Sequence, residues 1–525
     1  VTDVLLLVVP VTLLAVVVRR AEISAPVSLV LAGLLASFVP GVPDYHLDPH
    51  VVLFLFIPPM VYSEACESSF LSFRVNARPI ALLSVGLVLF TMALVALVAH
   101  SVVPGMSWPV AFVLGAVLGP TDVVAAVSVA RRLGLPRRLV RIMTAESLFN
   151  DSTGLTAYRI TVAIVAGGGF SLLDGVRDFV LACSGGLFLG LFIAWPVRRL
   201  QCWLGDAVAH TAVSLLVPFV TYALAEYLHA SGVLAVLAAG LYLGHHSNRA
   251  SHAARIQEQA SWKLIVFLLE SLVFALIGLQ LRPVLGSLDG IAPWTLIWYA
   301  AAVSATVMLG RFLWVFPATY LPRWLSPRLR ARDPSPPWQL PATLSWAGIR
   351  GVVSLAAAFA LPDDMPHREL VLFLTFSVTL STLFVQGLGF PAFVRLLGLA
   401  GTNGEHDDHL AEARAQEEAA RLAQHRLEEL VAHEHRHCPQ HVVLRLREVA
   451  EYRRVAAWER LRDDGRLGSQ SPSAAYRLLR REMLAAEREA FIMMRNQGRL
   501  DDEVARQVVH QLDFEEAALS RDLHL

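Results

Sequence analysis

The chain has 525 residues, of which 55% are hydrophobic and only 17% charged, against roughly 25% charged in an ordinary soluble domain. A mean hydropathy of +0.52 and long apolar runs exclude a soluble enzyme, a disordered chain, a disulfide scaffold and a nucleic-acid binder. The formal net charge of zero conceals a division: residues 1–400 hold 25 basic and 20 acidic residues, and residues 401–525 hold 19 and 24, so a weakly basic membrane body continues into an acidic tail.

A bilayer core about 30 Å thick takes roughly 20 apolar residues of helix. On that measure the sequence predicts an all-α polytopic protein with thirteen spans, near 3–18, 24–40, 50–64, 79–100, 108–130, 142–167, 178–197, 208–228, 231–244, 262–281, 292–319, 338–361 and 369–398. Only helices and closed barrels satisfy backbone groups in lipid, and runs this long are helices. The first run ends at Arg19 and Arg20 without a cleavage site, so it reads as a spanning helix rather than a signal peptide. Loops after odd-numbered spans carry 18 Lys and Arg residues, Arg131, Arg132, Arg137, Arg138 and Arg141 among them, whereas the opposite loops carry three, Arg177, Arg282 and Arg368. Positive charge collects on the cytoplasmic side. The expectation is a multi-pass protein of the cell membrane, with its N-terminus outside and its C-terminus in the cytoplasm. Cys66, Cys183, Cys202 and Cys438 are scattered in no CxxC pattern, which speaks against a disulfide framework.

Ionisable residues at membrane depth are costly and usually line a polar path. Span five contains Asp122, within Gly119-Pro120-Thr121-Asp122. Span six contains Glu146, Ser147, Asn150, Asp151 and Arg159; span eleven contains Arg311, and span twelve Arg350. The bland reading is a set of ion pairs that glue helices together. Three acids within one short stretch, faced by two later arginines, favour a site instead. Glu146 with Asn150 and Ser147 with Asp151 are i, i+4 pairs on adjacent stripes of one helix, so four polar groups gather on one face. Carboxylate and amide oxygens suit a small hard cation, and one carboxylate can carry either a cation or a proton.

Spans five and twelve are also interrupted. Pro120 removes a helix hydrogen bond, and span twelve contains Gly348-Ile349-Arg350-Gly351. Broken helices in matching positions of two halves point to a transporter binding site; with spans 1–6 and 8–13 as the halves, five matches twelve. Half-helix ends carry opposite partial charges, which Asp122 would neutralise at the positive ends and Arg350 at the negative ends. The glycines have a second reading, as sites of close helix packing.

The tail, residues 401–525, predicts a soluble helical extension, with amphipathic stretches at 409–432 and 473–496 broken near Gly465, Gly468 and Pro472. His433, His435, His437, Cys438 and His441 cluster in it. A solvated loop is the preferred reading over a metal site, so no resident metal or cofactor is expected. The histidines also allow a pH-sensing role, and the tail's ligand, if it has one, is not specified by any motif.

Three motifs together resemble those of the sodium/proton exchanger family, the electroneutral branch of the monovalent cation:proton antiporters, in its bacterial type. They are Pro120-Thr121-Asp122, Glu146-Ser147-Leu148-Phe149-Asn150-Asp151 and Gly348-Ile349-Arg350-Gly351. The resemblance covers about residues 1–398 in order and spacing. It implies thirteen spans in two inverted repeats, a dimer domain and a mobile core domain. It implies that Asp151 binds the ion and the proton, that Asp122 and Thr121 sit beside it at the unwound crossing with Asn150 as its partner, and that Glu146 and Arg350 are a stabilising pair, with Arg311 in the same network; Ser147 joins the ion-binding set by its place on the helix face of Asp151. Some members carry an acid four residues after a double proline in span three. Here that position, after Pro58-Pro59, is Ser63, and Glu64 follows, which leaves the role of Glu64 open.

The leading expectation is therefore a secondary Na⁺/H⁺ antiporter that exchanges one cation for one proton, not an enzyme: no repeated filter loop argues for a channel and no ATP-binding P-loop argues for a primary pump. The other readings are a K⁺/H⁺ antiporter, a cation channel and a receptor that signals through the tail. The partners implied are Na⁺ (with Li⁺ or K⁺ as alternatives), protons, the lipid bilayer and a second copy of the chain; nucleic acid is not among them.

Overall fold

Among the described residues the apolar runs are largely helical, with breaks inside two of them, in the structure, a computed structural model that describes residues 2–21, 25–39, 49–68, 73, 75–167, 172–247, 250–286, 288, 291–399, 404–433, 439–462, 472–497, 499–500 and 502–520. The helices of the first half are α1 (Thr2–Arg20), α2 (Ala25–Ser37), α3 (Pro49–Glu67), α4 (Ala77–Val102), α5 (Trp108–Leu118), α6 (Val124–Arg132) and α7 (Arg137–Val165). Next come α8 (Leu172–Trp203), α9 (Ala207–Tyr227), α10 (Gly232–His246), α11 (His252–Gly286), α12 (Pro293–Leu325), α13 (Pro327–Arg332), α14 (Gln339–Trp346), α15 (Val352–Phe359) and α16 (Arg368–Leu396). Among the described residues, six helices are long and apolar enough to cross a membrane by length and composition, and three shorter ones are apolar. Spans five and twelve are each split in two, and α7 carries its charges in mid-helix.

Two helices widen locally. A π turn occupies Leu82–Leu87 in α4 and another Thr382–Gly387 in α16. A π turn leaves backbone groups off the regular ladder, and in both cases an indole takes one up. Trp314 Nε1 donates to Leu82 O at 3.0 Å, and Trp346 Nε1 to Gln386 O at 3.2 Å.

Two sets of helices pack more heavily within themselves than with each other. One comprises α4–α7, α12 and α14–α16; the other comprises α1–α3 and α8–α11. The seam between them runs where α7 meets α8 and α10, and where α15 meets α3 and α11. Large apolar side chains such as Leu13, Phe188, Phe192 and Leu309 stand exposed on the outside, a surface suited to lipid. On the arginine-rich face, Asp333, in the loop before α14, accepts from Arg138 Nη2 at 2.9 Å and Arg323 Nη2 at 2.6 Å. Partial burial pushes the Asp333 carboxyl upward, but Arg138 and then Arg323 outweigh it and hold the group below the usual carboxylate range.

Residues Val1–Ala400 form one compact unit and Gly401–Leu525 a second. The second consists of α17 (Gly404–His433), α18 (Gln440–Arg462), α19 (Pro472–Asn496) and α20 (Asp502–Ser520). There α17 packs on α18 and α19 on α20. Arg480 joins α19 to α20 by bonding Glu515 at 2.7 Å, and Arg488 does so through Asp513 at 2.8 Å. His435, His437 and Cys438, like Gly465 and Gly468, lie outside the described residues.

Candidate ion-binding site

Spans five and twelve break at 119–123 and 347–351, and the two breaks cross. The chain is held there by its own backbone: Asp122 N donates to Ile349 O at 2.8 Å. The Asp122 carboxylate lies against Gly351, where an added Cβ would overlap it. Gly351 immediately precedes α15, so this anion sits at a helix amino end, where the dipole favours negative charge. Arg350 serves the opposite ends. Its Nε donates to Leu118 O, the last residue of α5, at 3.0 Å, and its Nη1 to Gly348 O at 2.6 Å. The Arg350 backbone N–H donates to Thr382 Oγ1 at 3.0 Å, which ties the break to the π turn of α16.

Helix α7 closes over the first break. Ser147 Oγ and Asn150 Nδ2 both donate to Thr121 O, at 3.1 and 3.2 Å. Asn150 Nδ2 also donates to Thr121 Oγ1 at 2.6 Å. Thr121 Oγ1 in turn donates to Glu146 Oε1 at 3.3 Å. The Thr121 carbonyl, left off the helix ladder by the break, is thus satisfied from the neighbouring helix, as a buried backbone group requires. Thr121, Glu146, Ser147 and Asn150 are all buried.

The pairing of Glu146 differs from the sequence expectation. Its partner is Arg311, not Arg350. Arg311 Nη1 lies 2.6 Å from Glu146 Oε1, and Arg311 Nη2 lies 2.9 Å from Oε2. Both side chains are at most 1% exposed. Arg311 Nε also donates to Leu344 O at 3.0 Å, so one guanidinium joins α12, α7 and α14. The two-oxygen, two-nitrogen geometry is the strong form of this pair. Arg350 is equally buried but spends its donors on carbonyls, because α5 and α14 end beside it.

Asp151 behaves differently from its neighbour. It is half-buried, and no hydrogen bond or ion pair reaches its carboxylate among the described residues. It lies in the repulsive field of Glu64 and Asp122. Glu64 is in turn repelled by Asp122 and by Glu270 of α11. All four acids are half-buried. No three of them close on one point, since among the described residues no group of three His, Cys, Asp or Glu side chains is close enough to hold a metal ion. The acids act on one another across the seam: Asp151 and Asp122 come from one helix set, Glu64 and Glu270 from the other. Asn150 Oδ1, next in sequence to Asp151, is buried without a hydrogen-bond partner. An unsatisfied buried oxygen is expensive and is a ready ligand for a cation.

The expected residues are thus brought together, with Glu64 added at the seam. Glu270 escaped the sequence reading, although it is a lone acid in an apolar span, the same signal that exposed Asp122 and Asp151.

Comparison with known proteins agrees with this architecture. The profile described as sodium/hydrogen exchanger, transmembrane, matches residues 4–396. An uncharacterized Na⁺/H⁺ exchanger of Mycobacterium tuberculosis (strain H37Rv) is 34% identical over 514 residues, covering 95% of this chain and 93% of the relative. An uncharacterized Na⁺/H⁺ exchanger of Escherichia coli K12 is 30% identical, covering 95% and 94%. A sodium, potassium, lithium and rubidium/H⁺ antiporter of Bacillus subtilis is 31% identical, covering 70% and 57%. In fold, the chain is similar to a sodium proton antiporter from Methanocaldococcus jannaschii, with a TM-score of 0.59 and 18% identity over 76% of this chain and 97% of that one.

Proposed function

Because the chain belongs to the sodium/hydrogen exchanger family, we propose that it exchanges one Na⁺ for one H⁺ by alternating access, with both ions competing at Asp151. The observation that carries this is the unpartnered, half-buried Asp151 carboxylate beside the unsatisfied Asn150 Oδ1. Asp122, Thr121 and Ser147 shape the site, and Glu64 adds negative potential from the opposite side of the seam. Asn150 cannot titrate and Glu146 is neutralised by Arg311. One carboxylate then cycles between a cation and a proton, and the exchange is electroneutral. The printed name of the Bacillus subtilis relative includes potassium, lithium and rubidium, which supports a site that also accepts Li⁺ or K⁺. The protein works as a homodimer in the cell membrane, its arginine-rich loops and its tail in the cytoplasm, and the tail, residues 401–525, adjusts the response to pH or an unidentified ligand.

The test is initial exchange rate against Na⁺ in proteoliposomes at several symmetric pH values. Where the carboxylate is mainly protonated, the apparent Na⁺ KM should rise about tenfold per unit fall in pH. A KM constant across that range, with only the maximal rate changing, would assign the two ions to separate sites.

A further inference from the structure

Arg159 stands in α7 eight residues beyond Asp151, about 12 Å further along the helix and away from its arginine-rich start. It has no part in the ion site. Its Nη2 instead pairs with Glu226 Oε1 and donates to Tyr222 OH at 3.0 Å. Tyr222 and Glu226 belong to the last two turns of α9, in the other helix set. One turn before Arg159, Thr156 Oγ1 meets Ser231 Oγ at 3.0 Å. Ser231 caps α10, and its backbone N–H donates to Ala182 O of α8 at 3.0 Å. The corner between α9 and α10 is therefore anchored to its own set, and α7 is bonded to that corner.

The corner is built to receive Arg159. A Cβ at Gly232 would fall 2.6 Å from Glu226 Oε1 and 2.8 Å from the Tyr222 ring. Only glycine leaves room for the carboxylate to fold back over the start of α10 toward the guanidinium. The seam thus has two unlike ends. Around Asp151 it is lined by acids that repel one another; around Arg159 it is fastened by an ion pair and two hydroxyl contacts.

We propose that Arg159 and Glu226, with Tyr222, are positioning residues for transport. They latch the ion-carrying helix α7 to the corner of α9 and α10 in the state described here, and the latch opens when the site turns to the opposite face. This rests on the alternating-access reading above. An interaction made in one state only shifts the balance between states by its own strength, and apparent affinity on each face follows the fraction of molecules open to it. Weakening the latch should favour access from the face opposite the arginine-rich loops.

The test uses the full chain in oriented proteoliposomes, with Na⁺ KM measured separately from each face. Arg159→Gln and Glu226→Gln should each change the ratio of the two KM values three- to tenfold, in the same direction, with KM lower on the face opposite the arginine-rich loops. The exchanged pair Arg159→Glu with Glu226→Arg should bring the ratio back to within twofold of the parent. An unchanged ratio in the single variants, or an exchanged pair as altered as they are, would overturn the latch. A second arm does not depend on the exchanged pair folding. Thr156→Cys with Ser231→Cys, in a background where the neighbouring Cys183 is Ser, is oxidised with copper phenanthroline. The cross-link should stop exchange and a reductant should restore it, whereas continued exchange by cross-linked protein would show that α7 never leaves the corner. The parent protein separates the two readings. Absence of Na⁺-driven proton movement in the parent would overturn the exchange reading, while normal exchange with an unmoved KM ratio overturns the latch alone.

Discussion

Glu146 and Asp151 are carboxylates five residues apart on α7, and the structure treats them in opposite ways. Five residues turn a helix by about 140° from its starting face. Glu146 therefore points into one helix set, where Arg311 holds both its oxygens. Asp151 points into the seam, where among the described residues it finds other acids and no partner. The difference separates a charge that stays from a charge that changes. A permanently ionised group in a low-dielectric interior needs a matched counter-ion and hydrogen bonds. A group that must release its cation or proton in every cycle is better left without one. Five variants, four within that contrast and one outside it, rank in order of expected effect.

Asp151→Asn should reduce exchange to background while the protein stays folded and monodisperse, as judged by transport and size-exclusion chromatography. Near-parental exchange would show that the unmatched acid is not the carrier. Arg311→Ala should do the reverse kind of damage. It strands a buried Glu146, at a cost of about 3–5 kcal/mol, visible as lost yield and a lower thermal midpoint. Arg350→Ala leaves that pair intact and uncaps backbone carbonyls, which costs about 1–3 kcal/mol. An Arg350 variant less stable than the Arg311 variant would reverse the pairing described above.

Gly351→Ala sharpens the open side. The new methyl overlaps the Asp122 carboxylate and must displace it. Overpacking of this kind costs about 1–3 kcal/mol, and the Na⁺ KM should rise as Asp122 leaves its place at the start of α15. An unaltered KM would detach Asp122 from ion binding.

The smallest effect belongs to a pair outside both regions. Asp333 has its folded-state pKa depressed, with Arg138 and Arg323 overcoming its partial burial. A depressed carboxylate contributes stability above its unfolded pKa, near 3.9, and that contribution is lost as pH falls through the folded value. Asp333→Asn should lower the thermal midpoint by the equivalent of about 1 kcal/mol or less near neutrality, since Arg138 is half-exposed and screened. The difference from the parent should begin to shrink near pH 4 and vanish only once the pH has fallen below the depressed folded-state pKa. A difference that persists in acid would assign it to packing instead.

Much of this site was legible in the sequence because its signals are local. Pro120 and the Gly348–Gly351 stretch mark the breaks by backbone chemistry alone. The spacing of Glu146, Ser147, Asn150 and Asp151 places them around one helix without any knowledge of neighbours. The partner of Glu146 was not legible in the same way. Arg311 and Arg350 are both buried arginines near the crossing, and the choice between them depends on how α12 and α14 pack. Glu64 was ambiguous for a related reason: its position one residue past the expected place matters only through the angle at which α3 meets the seam. Glu270 was legible and overlooked. The π turns carry no sequence signal, since Leu82–Leu87 is an apolar stretch like those around it.

Those π turns have a consequence for reading the chain by period. A π turn accommodates one residue more than the regular spiral, so side chains beyond it are rotated by about 100° from where an unbroken helix would put them. Val88 follows the turn in α4 and packs at the Gly119 end of the first break. Thr382, in the other turn, receives the Arg350 backbone N–H. Each helix is therefore written in two frames, joined at the turn and held by a tryptophan from elsewhere in the chain. Removing a single residue from Leu82–Leu87 would restore the regular spiral and, with it, point the wrong side of α4 at the crossing.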